Sequence, residues 1–174
     1  MMNTRILSIL AAAFLPGLAL AHDPAPEPQA RLGDLSVQGA FLRATPARAP
    51  VAGGYLAITN DGADDDRLVA VTAPIGERVE IHEMAEEDGV MVMREIEGGV
   101  PLPAGETTRL QPGGLHLMVL GLDQQLAEGE TVEMVLTFEQ AGDLSLPFDV
   151  LAINARHHPD MPAGDGDAGH DHQH

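Results

Sequence analysis

Between Leu32 and Ile153 the chain is broken at short intervals by Gly, Pro and Asp, and no stretch there carries the apolar period of a long helix. What lies between the breaks is short and alternates in polarity, the pattern of antiparallel strands with one buried and one solvated face. Segments 36–44, 53–59, 67–72, 78–84, 90–96, 107–110, 115–120, 131–138 and 144–150 fit it. About nine short strands at this spacing predict an all-β domain, a Greek-key β-sandwich or barrel. The tetrad Glu86-Glu87-Asp88-Gly89 fits a tight hairpin turn, because Asp-Gly supplies the positive backbone dihedrals such a turn requires.

The two ends read differently. Residues 1–21 have a basic start at Arg5, an apolar run from Ile6 and a small-residue finish at Ala19-Leu20-Ala21, the form of a signal peptide cleaved after Ala21. The run is about 16 residues, shorter than the roughly 20 that span a bilayer, and Pro16 interrupts it. Export without stable membrane insertion follows, and the absence of cysteine after the run argues against a lipid anchor. Residues 22–31 read as a flexible Pro-rich leader, 32–153 as the folded body, and 154–174 as a disordered tail rich in His and Asp.

The net charge is −18, and all nine basic residues are arginines. Such a surface repels nucleic acid and anionic membranes and attracts cations. Most of the carboxylates need no role beyond solubility. "DGADDD", Asp61 to Asp66, offers a calcium-module reading but fits a solvated strand connection better.

Sulfur and imidazole are distributed unevenly. "IHEMAEEDGVMVMR" runs from Ile81 to Arg94, and "GGLHLMVL" holds His116 and Met118. Residues two apart on a strand share a face, so His82 goes with Met84, Met91 with Met93, and His116 with Met118. Folding the hairpin at Asp88-Gly89 sets His82 across from Met91 or Met93, depending on register. A single methionine is usually core filler and a single histidine an ordinary hydrogen-bonded residue. Two His-x-Met units in one small exported domain point to a metal.

Ligand softness selects the metal. Thioether sulfur suits Cu(I), whereas Zn(II) prefers thiolate, imidazole or carboxylate, and Ca(II) and Mg(II) take oxygen. With neutral ligands the singly charged ion is cheaper to bury than Cu(II). A blue-copper electron carrier needs a cysteine sulfur, and the chain has no cysteine.

"LRATPARAPVAGGYLAITN" (Leu42 to Asn60), "DDRLV" and the His-x-Met unit at His116 resemble the periplasmic copper chaperones of the PCu(A)C type. That resemblance implies a cupredoxin-like fold and a Cu(I) site made by a histidine, a later methionine and a His-x-Met unit. Ten residues lie between His82 and Met93 and twenty-two between Met93 and His116, so the implied ligands are His82, Met93, His116 and Met118. Met84 and Met91 become neighbouring or alternative donors. The implied role is to carry copper in the periplasm, without enzymatic turnover, toward cytochrome oxidase assembly or another periplasmic acceptor. A buffering or resistance protein with no dedicated recipient is the alternative.

Outside the body, His157, His158, Met161, His170, His172 and His174 make a second cluster, in which imidazole and carboxylate suit Cu(II), with Zn(II) or Ni(II) as competitors. After cleavage His22 becomes the N-terminus, where amine and imidazole can chelate copper together, the basis of a less favoured reading as a copper enzyme.

Overall fold

The computed structural model describes residues 27–161, and these contain eleven strands and no helix. In chain order they are β1 (Ala30–Leu32), β2 (Leu35–Arg43), β3 (Val51–Asn60), β4 (Asp66–Thr72), β5 (Arg78–Glu87), β6 (Val90–Glu95), β7 (Val100–Leu102), β8 (Thr107–Leu110), β9 (Leu115–Leu120), β10 (Thr131–Phe138) and β11 (Gly142–Leu151). All nine segments expected from polarity alternation are strands. The two additional ones, β1 and β7, are three residues long, too short to alternate visibly.

Hydrogen bonding links the strands in the order β6-β5-β9-β3-β2-β11-β10-β4-β7, with β1 on β2 and β8 on β3. Every pair is antiparallel except β11 with β2. The path folds over itself, so that β4 also lies near β5, and β7 near β3 and β8. One core fills the interior: Leu68 of β4 and Leu102 of β7 belong to the same buried cluster as Ile81, Leu117, Leu56, Leu136 and Phe148. Met134 is fully buried in that cluster, the ordinary packing role of a methionine.

Because β5 and β9 send Ile81, Leu117 and Val119 into the core, their alternate residues Glu80, His82, His116 and Met118 stand on the opposite face. That face continues onto β3 through Gly53, opposite Met118, and onto β2 through Phe41, opposite Tyr55. The Gly53-Gly54 pair allows close approach here. A Cβ on Gly53 would come 2.8 Å from the Tyr55 hydroxyl, and one on Gly54 3.0 Å from the Leu42 side chain.

The folded chain extends past both boundaries expected from composition. On the N-terminal side, Gln29 accepts from the Ala40 N–H (2.9 Å) and donates to the Pro147 carbonyl (2.5 Å), and β1 pairs with β2. The presumed flexible leader therefore ends before Gln29. On the C-terminal side, His158 is buried, its Nε2 3.2 Å from Asp149 Oδ2 and its Nδ1 accepting from the Asp160 N–H at 3.1 Å. Arg43 Nε donates to the Ala155 carbonyl at 2.7 Å and lies 5.2 Å over the Tyr55 ring. Met161 sits against the bulge in β2 at Gly39, whose φ of +57° suits glycine and whose Cβ, if present, would be 2.8 Å from Met161 Cβ. Composition missed this docking because it rests on individual hydrogen bonds and one close approach.

Candidate metal centre

Three strands at one end of the sheet path, β6, β5 and β9, build the centre. The hairpin between β5 and β6 closes on two residues, Asp88 (φ +52°) and Gly89 (φ +80°), with Glu87 opposite Val90. This is the twisted two-residue turn that an Asp-Gly pair favours. It fixes the register: Met84 opposite Met93, His82 opposite Glu95, and Glu86 opposite Met91. On the other side of β5, His82 is directly opposite His116 and Glu80 opposite Met118.

The result is a central pair of imidazoles flanked along the strands by thioethers. Their ring centroids are 5.8 Å apart with planes at 56°. Two imidazoles sharing one metal at about 2 Å from each nitrogen have centroids roughly 5–6 Å apart, so the spacing fits a common ion. Met84 and Met93 lie on one side of this pair and Met118 on the other. Met91 stands opposite Glu86, four positions along β5 from His82, which at strand rise is about 13 Å away. The structure thus brings His82, Met84, Met93, His116 and Met118 together and sets Met91 further out.

The nitrogens are distinguishable. His116 is buried, and its Nδ1 donates to the Gly114 carbonyl at 3.0 Å, leaving Nε2 as the lone-pair nitrogen of a neutral ring. His82 Nε2 is 2.8 Å from Glu80 Oε2, while its Nδ1 is buried without a hydrogen-bond partner among the described residues. A buried polar atom left unpaired has a cost that a bound ligand can remove. The Glu80 carboxyl is held below the ordinary glutamate range by the hydrogen bond from His82 and then by that from Arg78. Sequence reading overlooked Glu80, although Glu-x-His-x-Met on one strand puts all three on one face.

Exposure grades outward from the imidazoles: they are buried or half-buried, whereas Met93 is 47% and Met91 53% exposed at the sheet's end. Glu86 and Glu95 share this face, giving it a negative field. Among the described residues no group of three or more His, Cys, Asp and Glu side chains is arranged to hold a metal. A centre here therefore requires sulfur.

A family model named for LpqE-like lipoproteins matches residues 35–150. The chain belongs to the LpqE-like family. A protein of Leifsonia xyli subsp. xyli that carries a lipoprotein name, Lxx21020, is 31% identical over 141 residues, covering 78% of this chain and 84% of its own length. The apo PCuAC domain from PmoF1 superposes with a TM-score of 0.60 at 30% identity, covering 71% of this chain and 98% of that domain. The Cu(I) form of DR1885 from Deinococcus radiodurans gives a TM-score of 0.56 at 26% identity over 68% of this chain and 78% of that one. The resemblance to PCu(A)C domains read from the sequence, and the cupredoxin-like all-β fold it implied, therefore hold for this family member.

The remaining residues noted in the sequence lie elsewhere. His158 has both ring nitrogens engaged, and His157 is exposed. Met161 packs at Gly39. His22, His170, His172, His174 and the cleavage point after Ala21 are outside the described residues.

Proposed function

We propose that this chain is an exported copper carrier that binds one Cu(I) through His82, Met93, His116 and Met118 and passes it to an acceptor without catalysing a reaction. The supporting observation is the His82–His116 cross-strand pair, 5.8 Å between centroids, with an unpaired buried Nδ1 on one ring and thioethers on either side. Two neutral imidazoles and two neutral thioethers match a soft monovalent ion. The similar DR1885 structure is a Cu(I) form, which supports the same metal here. Exposed Met93 and Met91 at the rim give the ion a soft donor path toward a docked recipient. In this reading the signal sequence delivers the chain to the periplasm, where cytochrome oxidase assembly or another copper acceptor is supplied. The histidines after Met161 hold Cu(II).

Titration with Cu(I) against a chelating competitor tests the site. The His116→Ala, Met118→Ala double variant is expected to lose tight binding. Unchanged affinity in that variant overturns the assignment.

A further inference from the structure

We propose that Arg78 and Glu80 are positioning residues that make His82 an Nδ1 donor, so that the centre binds its metal through one Nδ1 and one Nε2. The inference rests on the copper site assigned above. Arg78, Glu80 and His82 stand at alternate positions of β5 and thus on one face. Each Glu80 oxygen has its own partner: Oε1 accepts from Arg78 Nε at 2.6 Å and Oε2 meets His82 Nε2 at 2.8 Å. With both oxygens held, the carboxylate has one orientation. An ionised carboxylate only accepts, so the proton of the neutral ring sits on Nε2 and the lone pair on Nδ1. Nδ1 is the buried ring atom that has no partner among the described residues.

At His116 the choice is reversed. Its Nδ1–H donates to the Gly114 carbonyl, two residues back on the chain, and the lone pair is on Nε2. A carboxylate behind one ligand and a backbone carbonyl behind the other are the two common supports for metal-bound imidazole, and each fixes tautomer and ring orientation. They differ in charge. Glu80 places a negative group one ring away from the ion, making His82 the more basic donor, while Arg78 tempers that charge. Glu95, opposite His82 on β6, is exposed, and the partner of the ring's Nε2 is Glu80 instead.

Nitrogen-15 NMR of the metal-free protein at a pH above the imidazole range reads the tautomer directly and needs no copper. The expected spectrum shows His82 as Nε2–H and His116 as Nδ1–H. Glu80→Gln preserves an acceptor oxygen and keeps His82 as Nε2–H, whereas Glu80→Leu releases the ring into a mixture of tautomers. Competition titration should show a Cu(I) affinity lowered 10–100-fold in Glu80→Leu, the usual range for losing an outer partner of a ligand, and less in Glu80→Gln. A wild-type His82 protonated on Nδ1, or a Glu80→Leu protein with unaltered tautomer and affinity, overturns the proposal. If the His116→Ala, Met118→Ala variant loses copper while Glu80→Leu does not, the positioning role fails and the copper site stands. If neither loses copper, the site itself is wrong.

Discussion

On β6, Met91 and Met93 share a face but not a neighbourhood: Met93 stands opposite Met84 and diagonal to His82, and Met91 stands opposite Glu86. Both are about half exposed, so replacing either sulfur side chain with leucine disturbs little packing, below about 1.5 kcal/mol. Their effects on Cu(I) should nevertheless differ. Met93→Leu is expected to weaken Cu(I) binding strongly and Met91→Leu only slightly, measured by competition titration with urea unfolding as the stability control. The reverse order would mean that the β5–β6 register differs in solution. Met84 is the residue to watch in this comparison, because it faces Met93 and lies two positions from His82, where its sulfur can partly substitute.

The β5–β6 hairpin carries Met84 and Met93 of the candidate centre, and its register depends on two residues with positive φ, Asp88 and Gly89. A Cβ at Gly89 meets no atom within 4 Å, so the cost of a substitution there is conformational rather than steric. Gly89→Val should lower stability by about 1–2 kcal/mol, and Gly89→Asn by less, because asparagine tolerates the left-handed region. Urea unfolding of the two variants checks this, and equal losses would show that the turn does not govern the hairpin. This turn was legible from Asp-Gly alone, and so were β8, β9 and β10 at their full extents, where alternation and flanking Gly or Pro mark both ends. β7 was not, since Val100-Pro101-Leu102 is too short for a period and becomes a strand only by pairing with β4. The candidate centre was half legible. His-x-Met spacing announced the ligand types, but placing His116 opposite His82 required β9 to pair with β5 across three intervening strands, β6, β7 and β8, which no local pattern encodes.

Across the whole molecule, the described chain after β11 docks back onto the body as far as Met161. Phe41 and Tyr55, rings 5.0 Å apart on the outer face, are flanked by His158, whose ring centroid lies 6.4 Å from that of Phe41, and by Arg43, which stands over Tyr55 and donates to the Ala155 carbonyl. The fold contribution of residues 152–161 and the Cu(II) binding proposed for the later histidines should be separable. Removing residues 162–174 is expected to leave the melting temperature and the Cu(I) affinity of the body unchanged while reducing Cu(II) binding. Removing residues 157–174 takes His158 away from Phe41 and from Asp149 Oδ2, and should lower the melting temperature by several degrees. Identical melting temperatures for the two truncations would show that His158 contributes nothing to the fold. Gln29 and Met161 both meet β2 at the bulge of Gly39 and Ala40, and the same two flanks reach β11 through Pro147 and Asp149. From β2 the order runs through β3 and β9 to β5, three strand spacings or about 14 Å. A pull on either described flank is therefore shared between β2 and the parallel β11, and the hydrogen-bonded order carries it to the candidate centre through β3 and β9.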